Sequence, residues 1–361
     1  MSGVLIMAGG TGGHIFPGLA VAEQLATKDI PVTWLGASGG MESKLVPAHG
    51  IAFHEITIRG LRGNGLRGWL QAPWTVGRAI FTALKLMRRL RPRCVLSMGG
   101  YVAGPGGIAA WLMRRPLVVH EQNSVAGLTN RALALVATRV LTGFDGVFSA
   151  SRHAVRVGNP VRADLSSTSE PAQRFGARKG PMRLLVLGGS QGAMHLNTTV
   201  PQALAGLAKA GEWAVRHQCG ERHLKHCQEA YQAAGFGGSD DVSIEPFIKD
   251  MAAAYEWADL VIARAGALTV AELSAVGCAS VLVPFPYAVD DHQTTNAAQL
   301  RDVGAARVVA ESELTVNRLN ELLTELKDRN ALAAMASAAK TLGHANAAKQ
   351  VADVCMEVAR R

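Results

Sequence analysis

The stretch "MAGGTGGHIFPGLAVAEQL", residues 7–25, sets four glycines and one histidine between an apolar strand-like run and a helix-like one. Its counterpart "VLGGSQGAMHLNTTV", residues 186–200, repeats the arrangement in the second half of the chain. In an open parallel sheet, ligands bind beyond the carboxyl ends of the strands, where backbone N–H groups and helix N-termini favour anions. Neither loop carries the Gly-Lys-Ser/Thr of a P-loop. Counting from Gly10, the third glycine of a G-x-G-x-x-G dinucleotide fingerprint would fall on Ile15, so that fingerprint is absent as well. One such loop could serve only as a tight turn. Two in matching positions point to a phosphorylated ligand addressed from each half.

Working outward, short β-branched runs alternate with longer helical patterns. "VLIMA", "VTWLG", "CVLSM", "LVVHE" and "RVLTG" precede the midpoint, and "RLLVLGG", "AVRHQ", "VSIEP", "LVIAR", "SVLVPFP" and "ARVVA" follow it. This alternation predicts an α/β protein of two Rossmann-like, doubly wound parallel-sheet domains facing across a cleft. The junction falls near "VGNPVRADLSSTSEPAQ", residues 157–173, dividing the chain into 1–162 and 163–343. Beyond about residue 312 the pattern is helical, and a last helix of about 344–361 is expected to pack back on the first domain.

The 361 residues are 48% hydrophobic and 18% charged, a globular composition. The five cysteines form no CxxC and no zinc-type pairing, so neither a disulfide framework nor a metal is expected. There is no cationic leader and no apolar run long enough to span a bilayer, so a cytoplasmic protein, neither secreted nor membrane-spanning, is expected. The formal net charge of +9 is one-sided. Residues 1–165 hold 18 Lys and Arg against 7 Asp and Glu, whereas the remainder holds 19 against 21. A basic first half implies an anionic partner: nucleic acid, membrane or a phosphorylated substrate.

Other strand ends carry chemistry. In "ARAGALTVAEL", residues 263–273, the N–H groups of Ala267, Leu268 and Thr269 form a helix start aimed at a phosphate. Glu272, one turn on, can reach a ribose diol or can simply be a carboxylate near a helix start. "VPFPYAVDDHQTTNA" offers a polar run, Asp290 to Asn296, suited to sugar hydroxyls or to an ordinary helix cap. "HEQNSVAG", residues 120–127, and "SMGGYVAGP", residues 97–105, end two strands of the first half.

The segment "PWTVGRAIFTALKLMRRLR", residues 73–91, reads as an amphipathic helix. Val76, Ile80, Ala83, Met87 and Leu90 form the stripe expected against the sheet. Trp74, Arg78, Phe81, Lys85 and Arg88 line the opposite face, with Trp69 and Leu70 extending it. Aromatics interleaved with cations fit an anionic membrane surface better than nucleic acid.

Taken in order, "GGTGGHIFPGLA", "MGGYVAGP", "HEQNSVAGLTNR", "GNPVR", "GGSQGA", "DMAAAYEWADLVIARAGALTVAEL" and "DDHQTTNA" resemble the MurG family of GT-B glycosyltransferases, essentially end to end. The resemblance implies inverting, metal-independent transfer of GlcNAc from UDP-GlcNAc to the C4 hydroxyl of MurNAc in lipid I, giving lipid II. It implies no cofactor, and a peripheral enzyme on the cytoplasmic face of the inner membrane, among other cell-wall synthesis proteins. The first domain would then face acceptor and membrane, and the second would bind the donor. Carried over by motif, the donor site comprises Thr11, Gly12, Gly13, Asn123, Arg162 and Ser190. Uracil lies near the backbone of Ile248, Ala267, Leu268, Thr269, Val270, Ala271 and Glu272 hold diphosphate and ribose, and Gln293 contacts the sugar. Family members often carry a second glutamine where this chain has His292, which leaves that position open. His14 and Tyr101 face the acceptor, and the general base is His14 or Glu121. The competing readings are a UDP-GlcNAc 2-epimerase-like enzyme, an NAD-dependent oxidoreductase and a non-enzymatic scaffold for anionic lipid.

Overall fold

A computed structural model describes residues 3–58, 65–189, 192–207 and 212–360, without the side chains of residues 65–72 and 289. The chain divides into two units, Met1–Arg162 with His344–Arg361, and Ala163–Gly343.

In the first unit β1 (Val4–Ala8), β2 (Val32–Ala37), β3 (Ala52–Ile56), β4 (Cys94–Gly99), β5 (Leu117–Glu121), β6 (Arg139–Thr142) and β7 (Val155–Arg156) form one sheet. Their order is β3-β2-β1-β4-β5-β6-β7, and each pairing is parallel. The connecting helices are α1 (Gly12–Ala26), α2 (Glu42–Ala48), α3 (Gly65–Leu90), α4 (Ala103–Leu112) and α5 (Leu128–Leu133). The order reverses between β1 and β4, so the crevice at this topological switch point opens beside the first glycine loop.

The second unit begins with a 3₁₀ turn (Ala163–Ser167) followed by α6 (Pro171–Gly176), and its strands are β8 (Met182–Leu187), β9 (Trp213–Gln218), β10 (Val242–Glu245), β11 (Leu260–Ala263), β12 (Ser280–Leu282) and β13 (Ala306–Val308). They are ordered β10-β9-β8-β11-β12-β13, again all parallel. Around them lie α7 (Met194–Gly206), α8 (Leu224–Tyr231), α9 (Met251–Trp257), α10 (Ala267–Val276), α11 (His292–Asp302), α12 (Val316–Glu325) and α13 (Arg329–Lys340). The switch point here lies between β8 and β11, beside the second glycine loop and the start of α10. The final helix, α14 (Ala347–Ala359), belongs to the first unit, where Val351, Ala352, Cys355 and Val358 are buried in one cluster with Ile15, Leu19 and Leu25.

On its other face the first sheet is covered by α3, α4 and α5. The buried arc of α3 is Ala79, Ala83, Leu86 and Met87, while Val76, Ile80 and Leu90 of the expected stripe are only half-buried. The arc turns because α3 packs closely along α4 as well as over the sheet, and small side chains permit that approach. The opposite face is as expected: Trp74 is 80% and Phe81 66% exposed, with Arg78, Lys85 and Arg88 also exposed. No helix among the described residues is long and apolar enough to cross a membrane.

Helix α1 lies so close to β2 that a Cβ on Gly18 would stand 2.6 Å from the Trp34 ring. That ring is fully buried and pinned by its Nε1–H, which donates to Ala8 O at 3.0 Å. Gly18→Ala, ordinarily a gain of about 1 kcal/mol within a helix, is therefore expected to destabilise by about 1–3 kcal/mol through overpacking. The measurement is the urea midpoint of the variant, and an unchanged or raised midpoint would refute the packing argument.

Candidate functional site

At the first switch point, two glycine pairs make the site possible. Gly99 (φ +99°), the last residue of β4, and Gly100 (φ +82°) lie beside Gly9 and Gly10 (φ +94°), which follow β1. A Cβ on Gly100 would collide with the Gly9 carbonyl, and one on Gly99 would come within 3.0 Å of the His14 ring. The Tyr101 ring lies over Gly10, 3.1 Å from where a Cβ would stand. Burial and the neighbouring Glu42 carboxylate both push the Tyr101 phenol pKa up, so it remains a protonated donor.

Glu42 went unremarked in the sequence reading. Fully buried at the start of α2, it accepts the Ala37 N–H at 2.9 Å and the Gly10 N–H at 3.3 Å, tying the first loop to the end of β2. Thr11 is the exposed N-cap of α1, in extended conformation. The N–H groups of His14 and Ile15 already bond to Thr11 O, which leaves those of Gly12 and Gly13 as first-turn donors.

The end of β5 supplies the polar wall. His120, Glu121 and Gln122 are all buried. Glu121 Oε1 accepts from the Asn123 backbone at 3.0 Å and its amide at 3.2 Å; Oε2 accepts from Gly127 N at 3.1 Å and Asn130 Nδ2 at 2.9 Å. Four N–H donors therefore hold this carboxylate, which fixes the loop carrying Asn123. His14, half-buried, reaches the same wall with Nδ1 2.8 Å from Gln122 Oε1. Arg162, also half-buried, is the last residue of the first unit's main segment.

In the second unit the β8 turn holds Gly189 (φ +78°) and Gly192 (φ +76°), while Ser190 lies outside the described residues, as do the side chains of Trp69 and Leu70. A fully buried His217 on β9 props this region. Tyr231 OH and Asn197 Oδ1 flank its two nitrogens at 3.0 Å each, and Asn197 Nδ2 donates to Cys219 O. At the end of β9, Gln218 Oε1 accepts the Ile248 N–H at 3.1 Å. The Ile248 side chain is buried, so only its backbone can address a ligand.

Helix α10 starts at Gly266, an extended N-cap. Val270 N–H bonds to Gly266 O and its side chain is buried, so it lies behind the first turn formed by Ala267, Leu268 and Thr269. Glu272 is 9% exposed, and its Oε2 accepts from the Tyr255 hydroxyl at 2.8 Å; Ala271 sits beside it, half-buried. Arg264, another residue unremarked in sequence, donates to Val283 O and Pro284 O and pairs with Glu311. It thus positions the segment whose Phe285 N–H donates to Gln293 Oε1 at 2.9 Å, turning Gln293 into an amide donor for a ligand. Asn296 Nδ2 donates to Ala265 O at 3.3 Å, joining α11 to the start of α10; half-buried His292 opens α11.

Paired doubly wound units with glycine turns at their switch points are the architecture of GT-B glycosyltransferases. Models of the glycosyltransferase family 28 N-terminal and C-terminal domains match residues 4–142 and 183–351. A UDP-N-acetylglucosamine–N-acetylmuramyl-(pentapeptide) pyrophosphoryl-undecaprenol N-acetylglucosamine transferase of Alkalilimnicola ehrlichii is 56% identical, covering 99% of both chains. The crystal structure of Acinetobacter baumannii MurG is 41% identical with a TM-score of 0.82, covering 99% of this chain and 100% of that one. The UDP-GlcNAc 2-epimerase of Neisseria meningitidis, solved bound to UDP-GlcNAc, shares the fold at 12% identity and a TM-score of 0.67, covering 99% of this chain and 100% of that one. The chain belongs to the MurG family of glycosyltransferases, within glycosyltransferase family 28.

Burial pushes the pKa of His217 down to about 3 and that of His120 down to about 4, so both rings are neutral in the folded chain. Unfolded, each takes up a proton near the ordinary histidine value of 6.5. The unfolded state then binds more protons below that value, so stability is complete above it and falls as pH drops toward 4. Unfolding followed in urea at pH 7, 6 and 5 should show this decline. His217→Phe should flatten it by up to about 1.4 kcal/mol per pH unit; an equal slope in the variant would count against the neutral buried ring.

Proposed function

We propose that this chain transfers GlcNAc from UDP-GlcNAc to the C4 hydroxyl of MurNAc in undecaprenyl-pyrophosphoryl-MurNAc-pentapeptide, lipid I, giving lipid II for peptidoglycan synthesis. The observation that carries the proposal is 56% identity along 99% of the chain with a transferase of that description. The 2-epimerase relationship extends to the fold alone.

In this reading the second unit holds the donor. First-turn N–H groups of Ala267, Leu268 and Thr269 face the diphosphate, the Tyr255-held carboxylate of Glu272 accepts from the ribose, and Gln293 offers its amide to the sugar. Ile248 contributes backbone to the uracil, and Arg162 and Ser190 complete the phosphate contacts. In the first unit Thr11, Gly12, Gly13 and Asn123 address the donor, while His14 and Tyr101 face the acceptor.

His14 is assigned as the base, because Glu121 already accepts four N–H bonds that hold its own loop. As the acceptor oxygen bonds to C1 of GlcNAc, the bond from C1 to the UDP oxygen breaks on the opposite face, giving inversion. The hydroxyl proton passes to His14 and the bonding electrons leave with UDP. The positive end of α10 stabilises the departing diphosphate.

The exposed Trp74, Arg78, Phe81, Lys85 and Arg88 are assigned to an anionic membrane surface, consistent with a peripheral enzyme at the cytoplasmic face of the membrane. Trp111 and Leu112 at the end of α4, each 54% exposed, add apolar surface that the sequence reading did not single out.

Transfer from labelled UDP-GlcNAc to a lipid I analogue should persist in chelator and fall by about 10²–10⁴ in His14→Ala, with donor affinity retained. Tight UDP-GlcNAc binding without transfer would favour epimerase chemistry. Glu272→Ala should weaken UDP binding by about 1.5–3 kcal/mol, at least tenfold; calorimetry showing wild-type affinity would remove its ribose role. Phe81→Ser should weaken sedimentation with anionic vesicles by about tenfold, since burying one such ring contributes about 1.5–3 kcal/mol. Undiminished binding would move the membrane contact elsewhere.

A further inference from the structure

A buried chain of hydrogen bonds runs from the backbone of Gly158 to the ring of His14, and its polarity is set from one end. Gly158 O, which can only accept, lies 3.0 Å from His120 Nε2, so that nitrogen carries a proton. His120 is fully buried and its pKa is lowered to about 4, so near neutral pH it has a single ring proton and Nδ1 is bare. Gln122 Nε2 stands 3.0 Å from that bare Nδ1 and 3.0 Å from His120 O. Two acceptors fix the amide orientation: its NH2 faces His120 and its oxygen faces outward. Asn159 Nδ2, donating to Gln122 O at 2.9 Å, anchors the same residue through its backbone. Gln122 Oε1, in turn only an acceptor, is 2.8 Å from His14 Nδ1.

We propose that Gln122 and His120 are positioning residues that hold His14 in the Nδ1–H tautomer, so that the bare nitrogen offered to the acceptor hydroxyl is Nε2. The proposal rests on the reading of His14 as base and deepens it. Free neutral imidazole exchanges its proton between the two nitrogens, and a ring protonated at Nε2 would meet the acceptor with a donor instead of a lone pair. Gly99 completes the arrangement, because any side chain there would press on the edge of the imidazole that bears Nδ1. The relay lies entirely within the first unit. Neither positioning residue touches substrate in this scheme; both are buried behind His14.

The decisive measurement is a long-range 1H–15N spectrum of the full-length protein labelled with 15N-histidine, the His14 signals being assigned by their loss in His14→Gln. The expected result is a protonated Nδ1 and a bare Nε2 in the wild type. In Gln122→Leu the same ring should shift toward the Nε2–H form, and kcat should fall about tenfold while KM for UDP-GlcNAc stays within twofold. A wild-type ring protonated at Nε2 overturns the relay whatever the rates, and needs no variant to fold. So does a Gln122→Leu protein whose His14 tautomer is unchanged. An unaltered kcat in His14→Ala, with the Nδ1–H tautomer present in the wild type, instead overturns the base reading and with it the catalytic part of the proposal.

Discussion

The close approach of two strand ends, β1 and β4, is the constraint on which the first unit's site depends. Only glycine can place backbone this near to backbone while adopting positive φ at Gly10, Gly99 and Gly100. The approach leaves room for the His14 ring on one strand end and the Tyr101 ring on the other. It also brings the N-terminus of α1 to the switch point, where its first-turn N–H groups can meet an anion. A larger residue at Gly99 would press on the His14 ring, and one at Gly100 would push apart the two strand ends.

Close packing of backbone at a sheet edge creates a second requirement, that every buried polar group be paired. The chain meets it with acidic side chains that serve structure. Glu42 ties the first loop to β2, and Glu121 holds the loop that carries Asn123. In the second unit Arg264 is similarly occupied with carbonyls and Glu311. These hydrogen-bonded groups supply rigidity to the loops at the strand ends.

The sequence revealed the sheets well because their strands are fully buried apolar runs, such as Val4–Ala8 and Leu260–Ala263. It missed β3 and β7: β3 carries His54 and Glu55 on a partly exposed edge, and β7 is a two-residue pairing. The glycine turns and the start of α10 were legible because positive φ and helix N-termini leave compositional marks. Side-chain pairing leaves none. Nothing in "HEQNSVAG" distinguishes a carboxylate holding four N–H groups from a general base, and nothing around Glu42 connects it with Gly10, 32 residues away. Val270 likewise reads as a site residue by motif, although its N–H closes the first turn of α10 and its side chain fills the core.

The two units apply one device to different chemistry. Each uses a parallel sheet whose order reverses beside a glycine turn, and each presents a helix N-terminus there. What differs is the group placed next to that positive end. In the second unit it is a carboxylate whose Oε2 accepts from the Tyr255 hydroxyl, the group proposed to receive the ribose. In the first it is an imidazole backed by an amide and a second, neutral imidazole. Under the proposed assignment, recognition falls to the carboxylate held by Tyr255, and proton transfer to the half-buried His14 ring at the end of a buried relay.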